Sequence, residues 1–472
     1  KLRLREASSG GNAVLASNTE IRVDESAAAA KSLGISAPGV STPGVLAAGE
    51  NLSIQASALA LEPGARVVSG VDPSGGLTQH GKTTIVADTL EANQAKVLSG
   101  GSVGIAVSNT ANVRSSTISV QDALLLTGGT YLLSDSLVQG QNLGLDVRQL
   151  TVAGKSTVEA YTNLAVKAAL MEVQDSVLRA AADAQFQTGS ASVDATGSIA
   201  AGNGLVVTSD DMILRGGFVS AGQDVAISST TLSNIGGVIY AARDQQLATA
   251  GLLLNDGGEI YAGRNITITY LGNTRSNVVR NLSGTISAGD TLSINAATVE
   301  NKKREFEIAS RGNHVSSYSW HECNAALLGH GCDRRQLWYY VNEYNDDILK
   351  DSPSSQMLAG GDIIVGADFL NNEYSTIAAG KNLSVTAGNA VNKDGVLQHT
   401  KTTLETMKGW DADDDFTGEY FRSYKEEFTE IGRSPAVFSA NSGLYMNVSG
   451  TFSNLSQRQG ISQPNSNSAS MG

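Results

Sequence analysis

Two histidines and two cysteines fall within one short run, His321-Glu-Cys-Asn-Ala-Ala-Leu-Leu-Gly-His-Gly-Cys332. Two thiolates and two imidazoles are a zinc donor set, but His321 and Cys323 stand closer than finger-type sites place their ligands. A chain with only these two cysteines fits export through an oxidising compartment. A Cys323–Cys332 disulfide closing a short loop is therefore the favoured reading, with a metal site and free thiols as alternatives. Gly76-Leu-Thr-Gln-His-Gly-Lys-Thr83 spells a phosphate loop letter for letter. Its chemistry needs a helix N-terminus directly afterwards, and Thr84-Ile-Val-Ala-Asp88 reads as strand. Asp411-Ala-Asp-Asp-Asp415 could gather oxygen ligands for calcium, yet lacks the glycine and distal glutamate of an EF-hand. Asp210-Asp211 and Asp346-Asp347 are adjacent pairs, and adjacent residues of a strand face opposite ways. We therefore expect no catalytic residue, no metal, no cofactor and no enzyme activity.

A different chemistry concentrates in two segments, 300–357 and 399–437. They hold all 3 tryptophans and 13 of the 25 aromatic residues of the chain. Large aromatic side chains dominate interface energetics, and long interruptions of a repeat collect on one face. The candidate receptor-binding residues are Tyr318, Trp320, Trp338, Tyr339, Tyr340 and Tyr344, then Trp410, Phe416, Tyr420, Phe421 and Tyr424. The alternative is that these rings form a small satellite core that only braces the loops. The two segments lie two or three coils apart, so they are expected to emerge as neighbours and pack together. Val315-Ser-Ser-Tyr-Ser-Trp320 and Leu337-Trp-Tyr-Tyr-Val341 suit a hairpin or an added strand pair.

What must position them is a repeat. Ser220-Ala-Gly-Gln-Asp-Val-Ala-Ile-Ser228, Tyr261-Ala-Gly-Arg-Asn-Ile-Thr-Ile-Thr269, Ser287-Ala-Gly-Asp-Thr-Leu-Ser-Ile-Asn295 and Ala378-Ala-Gly-Lys-Asn-Leu-Ser-Val-Thr386 are copies of one unit. Half-units such as Gly236-Gly-Val-Ile-Tyr240 and Gly257-Gly-Glu-Ile-Tyr261 precede several of them. The period is about 20 residues, too short for a coil to bury its own apolar face, so stacking is obligatory. In Asn265-Ile-Thr-Ile-Thr269, the isoleucines point inward and the threonines to water. The Ala-Gly pair has the size and φ freedom of a sharp corner. The fold class expected is all-β, a right-handed parallel β-helix of about 20 residues per coil with two aromatic-rich insertions. The expected boundaries are coils over 1–299, an insertion over 300–357, coils over 358–398, a second insertion over 399–437, a coil over 438–455 and a polar tail over 456–472.

Composition narrows the class. The chain has 51 glycines in 472 residues, 5% aromatics and a net charge of −13. Glycine without a G-X-Y period excludes collagen, and the negative balance argues against nucleic acid. No apolar stretch approaches the length of a membrane-spanning helix. The start, Lys1-Leu-Arg-Leu-Arg5, carries no signal peptide and leads straight into the repeat, which is expected of a piece of a longer polypeptide.

The pattern G-G-x-I-x-A-G-x-x-L-x-I resembles the haemagglutinin repeat of two-partner secretion exoproteins. These include filamentous haemagglutinins and contact-dependent growth inhibition effectors. The resemblance covers most of the chain apart from the two interruptions and the tail. It implies a surface-exposed or secreted protein, exported across the outer membrane of a Gram-negative bacterium by an outer-membrane transporter. It further implies a receptor-binding region after a block of repeats, directed at an outer-membrane protein or surface glycan of a neighbouring bacterium, or at a host cell surface. Val299-Glu-Asn-Lys302 matches the family's pre-toxin motif only in part, and no toxin domain is visible. The rod is expected to be monomeric.

Overall fold

The computed structural model describes residues 1–72, 76–78, 80–269, 275–324, 333–410 and 415–457, with the side chains of 313–316, 318–324, 333–335 and 457 left aside. Segment 216–235 shows how one coil is built. Phe218–Ala221 is a short strand whose Val219 and Ala221 point inward while Phe218 and Ser220 face out. A turn leads into the strand Val225–Ile235, where Val225 and Ile227 are buried. The alternation slips by one at Thr230 and Thr231, which makes the next corner, and Leu232 and Asn234 then face inward.

Each coil hydrogen-bonds in parallel to the coils on either side. Val219 pairs with Ile199 in one neighbour and Ile239 in the other, and Ile239 pairs with Ile260. One continuous apolar core, aliphatic apart from Tyr131 and Phe186, runs from Ile21 to Ala390. An isoleucine gains roughly 2 kcal/mol when buried, and here that gain arises only from the neighbouring coils. The fold is thus an all-β parallel solenoid with coils of about 20 residues.

The corners refine the reading of the glycines. Gly222 is not in the left-handed region. A Cβ there would lie 2.1 Å from the carbonyl oxygen of Gly202 in the coil below, so the Ala-Gly corner needs glycine for its size and not for its φ. Positive φ is used one corner away, by the first glycine of the half-unit: +75° at Gly216, +64° at Gly236 and +64° at Gly257. The second glycine has another task. A Cβ on Gly258 would meet Asn234 Nδ2 at 2.3 Å, and one on Gly284 would meet Asn255 Nδ2 at 2.4 Å. These glycines make room for buried asparagines.

The asparagines form a ladder through the solenoid. Asn234 Nδ2 donates to Asn255 Oδ1 at 2.8 Å, Asn255 to Asn281 at 2.8 Å, and Asn281 to Asn301 at 2.9 Å. It continues from Asn301 to Asn372 at 2.8 Å, Asn372 to Asn392 at 2.8 Å, and Asn392 to Asn454 at 2.9 Å. Stacked amides of this kind satisfy one another only when the coils are in register.

The ladder spans both departures from the repeat. Ile286 stacks on Met357 and Val299 on Leu370, so the chain leaves the solenoid after Lys302 and returns in register at Gln356. Likewise Ile377 stacks on Phe438 and Leu383 on Leu444. The excursions consist of four long strands: β1 (Phe306–Asn324), β2 (Asp333–Asp351), β3 (Asn382–Trp410) and β4 (Phe416–Ser434). The first half of β3 belongs to the coil stack, and its second half runs out of it.

A carboxylate guards the coil from which β1 departs. Glu300 is mostly buried between Arg280, which donates to its Oε2, and Lys302, whose Nζ lies 3.3 Å from its Oε1. Burial alone would raise its pKa, but the Arg280 hydrogen bond and the Lys302 charge outweigh burial and hold it below the usual 4.5. A pKa depressed on folding contributes stability above the unfolded value, and that stability is lost as pH falls through the folded value. We expect acid to loosen this coil below about pH 4.5, and Glu300→Gln to remove that part of the pH dependence. Amide exchange of residues 292–302 against pH checks it; an unchanged profile in the variant would refute the assignment.

Candidate binding surface

The excursions begin at a small core of their own. Phe306 at the start of β1 packs on Tyr374, ring centroids 4.5 Å apart, with Ile308 and Leu397 around them. Lys303 Nζ stands 4.9 Å over the Phe306 ring and pairs with Asp351 at the end of β2. Arg304 Nε donates to Asp256 Oδ1 of the solenoid at 2.6 Å. At the second neck, Asp394 accepts from the Ala436 N–H at 2.6 Å and from Arg433 Nη1 at 2.8 Å. Both hairpins are thereby tied to the rod at their bases.

Beyond the bases the two hairpins join. β1 pairs antiparallel with β2, β2 with β3, and β3 with β4. The result is one antiparallel sheet in the order β1-β2-β3-β4, drawn from two stretches of chain with two returning coils between them. Nineteen residues of strand span about 60 Å. Gln398 N–H donates to Asp346 Oδ2 at 2.9 Å, and His399 Nδ1 lies 2.7 Å from Asn345 Oδ1, which fixes the β2–β3 register near the base.

Register sorts the side chains. Tyr344 lies opposite Thr400, which lies opposite Phe428. Tyr340, Leu404 and Tyr424 form the next such row, and Trp338, Thr406 and Phe421 another. One face therefore carries aromatic residues on β2 and β4, separated by threonines and a leucine on β3. Trp338 stacks on Tyr340 at 6.2 Å, and Lys408 Nζ sits 4.5 Å over the Trp338 ring. Tyr424 is exposed; partial burial, then the nearby Glu426 charge, pushes its phenol up from the ordinary value. The other face is mixed. Tyr339 lies opposite Glu405, and Tyr420 opposite Met407. Lys401 faces Glu343 at 3.8 Å, and Arg422 faces Glu405 at 3.4 Å.

Of the candidate residues, Trp338, Tyr340, Tyr344, Phe421 and Tyr424 come together on the aromatic face, and Tyr339 and Tyr420 go to the other. Trp410 and Phe416 meet edge to face at the far end of the second hairpin, 5.7 Å apart. Tyr318 and Trp320 lie on β1 at positions opposite Tyr339 and Leu337; their side chains are outside the described residues. So is the Cys323–Cys332 pair, and so are residues 411–414. Phe428 and Leu404 complete the aromatic face and were not among the candidates. The phosphate-loop spelling ends in a strand, Lys82–Asn93, with Thr83 buried and its Oγ1 donating to Ser69 Oγ at 2.8 Å. Among the described residues, no group of three or more His, Cys, Asp and Glu could hold a metal ion.

No protein-family model matches the sequence, and neither the curated proteins nor the solved structures contain a match. What the geometry defines is the class: an elongated parallel β-solenoid, an architecture that filamentous haemagglutinins and growth-inhibition effectors share with many other proteins. It could serve as a structural stalk.

Proposed function

We propose that this chain is the stalk and receptor-binding segment of a secreted bacterial filamentous protein of the haemagglutinin type, working by contact and not by catalysis. The coil is right-handed, as parallel crossovers are almost without exception. The parent crosses the outer membrane through a dedicated transporter, and the segment recognises an outer-membrane protein or surface glycan on a neighbouring cell, as in contact-dependent growth inhibition. The observation that carries this reading is the sheet. Two separate excursions pair to give a single layer with aromatic residues on one face, and Phe421 remains 68% exposed. A brace would need only the small core around Phe306 and Tyr374; the rest of the sheet is surplus to it.

The coil register supplies a clean test. Replacing residues 311–345 and 400–428 with two-residue Asn-Gly turns keeps both necks and every stacked coil. The truncated protein should keep the far-ultraviolet spectrum of the rod and lose binding to target cells. Undiminished binding by the folded truncation would leave the stalk reading in its place.

A further inference from the structure

The outer edge of β4 faces no strand among the described residues, and every residue from Thr417 to Glu430 except Gly418 is drawn from polar, charged or aromatic types. Residues 419–431 are exposed throughout. Two bulges, at Arg422 and Ile431, frame a regular window between them, 423–430. Long open edges invite pairing, and proteins normally blunt them. Charged side chains and bulges are such devices and this edge has both, but the window between its bulges is complementary to itself.

In an antiparallel two-fold pair, opposed residues share a face, so the axis must pass through a residue position. Centred on Glu426, the register sets Lys425 opposite Glu427 of the other copy, Tyr424 opposite Phe428, and Ser423 opposite Thr429. Symmetry makes each of these pairs twice. Outside the window, Arg422 comes opposite Glu430. Centres at Tyr424, Lys425, Glu427 or Phe428 put the lone lysine of the window against serine, against itself, against threonine or against the bulge. Within the window only the Glu426 centre joins opposite charges and aromatic to aromatic together; the Tyr424 centre pairs Tyr424 with itself and finds opposite charge only at the bulge, Arg422 against Glu426. Within one chain, Lys425 Nζ already donates to Glu427 Oε1 at 2.6 Å, which holds the Glu427 carboxyl below its usual range. Pairing would extend this contact into a square of alternating charge. The one discordant contact is Glu426 against Glu426 on the axis.

We propose that β4 is a homotypic docking strand: two copies of this chain join edge to edge through residues 423–429 and continue the sheet across the two-fold. The aromatic faces of both copies then lie on the same side. The paired window is short, so association belongs to the weak, micromolar class. The proposed dimer departs from the expectation of a monomeric rod.

The test uses the full chain and equilibrium sedimentation across the micromolar range. Lys425→Glu and Glu427→Lys should each weaken the dimer about tenfold, because each creates two like-charge contacts. The double variant should return to within about threefold of the parent, and Glu426→Gln should tighten the dimer about threefold, since it relieves a single contact. Glu426→Cys should cross-link to a covalent dimer under mild oxidation, because the residue faces itself; Thr429→Cys, facing Ser423, should not exceed the parent. Unchanged tryptophan fluorescence verifies that each variant keeps the sheet. A parent that stays monomeric, a dimer indifferent to the charge exchanges, or equal cross-linking at 426 and 429 would each overturn the proposal. Cell binding by Lys425→Glu is measured in parallel: retained binding with a lost dimer separates this inference from the receptor reading.

Discussion

Asn301→Asp should destabilise the coils at the base of the sheet by about 3–5 kcal/mol at neutral pH, clearly more than Asn301→Ala. Asn301 is fully buried. Its Oδ1 accepts from Asn281, and its Nδ2 donates to Asn372 Oδ1 at 2.8 Å and to the Thr376 carbonyl at 3.0 Å. An aspartate keeps the first contact and turns its second oxygen toward two oxygens with no proton between them. Either the charge stays in that site, or the carboxyl takes up a proton; from an ordinary pKa near 3.9 at pH 7, protonation costs about 4 kcal/mol. Alanine leaves Asn281 its bonds to the Gly284 and Gln356 carbonyls and orphans the Asn372 oxygen, at about 1–3 kcal/mol.

The two variants differ in pH dependence. The buried aspartate has a folded pKa above its unfolded value, so its penalty is full at high pH and shrinks as pH falls toward the unfolded value. The alanine penalty is flat. Because a solenoid opens in units, the measurement is amide exchange over 281–302 and 356–373, not a single melting temperature. Equal and pH-independent effects of the two substitutions would show that the ladder does not set the register.

The ladder also marks where sequence reading ran out. The rod was legible because its signal is local: Ile266 and Ile268 alternate with threonines within five residues, and the unit recurs after about twenty. The asparagines give one weak letter per coil. Their period is masked by the excursions, which place Asn301 and Asn372 71 residues apart although they touch. The Ala-Gly pair read as a corner, but nothing marked the second glycine of the half-unit, which at Gly258 and Gly284 clears space for an amide that comes from another coil.

The surface was legible in the same partial way. Crowded aromatics marked strands that pair into the sheet, but which face each ring takes depends on register across four strands. Tyr339 turns away from Trp338 and Tyr340 by simple alternation. Tyr420 and Phe421 are adjacent and also take opposite faces, but the bulge at Arg422 is what puts Phe421, and not Tyr420, in line with Tyr424. That bulge has no local signature, because it follows from how the strand meets its partner.

Gly395→Ala should loosen the sheet from the rod, costing about 1–3 kcal/mol, while leaving the rod intact. A Cβ at 395 would lie 2.3 Å from Phe306 Cε1, 2.9 Å from Cζ and 3.2 Å from Tyr374 Cε1. Something must move, and the aromatic pair is poorly placed to yield. Phe306 is held against Tyr374 and under Lys303, and Tyr374 sits in the left-handed region with φ at +52°, a conformation its corner of the coil dictates. The strain therefore falls on the β3 backbone, just where it turns from coil strand into sheet strand. All three tryptophans, 320, 338 and 410, lie in the sheet, so their fluorescence reports its unfolding while far-ultraviolet dichroism reports the rod. In urea the fluorescence midpoint of Gly395→Ala should fall and the dichroism midpoint stay close to the parent's. Phe306→Leu alone should also lower the fluorescence midpoint, by removing ring contacts. Combined with Gly395→Ala it should cost less than the sum of the two, because the smaller side chain vacates the space that the new methyl needs. Additive losses would mean that the glycine is required for something other than the approach of Phe306.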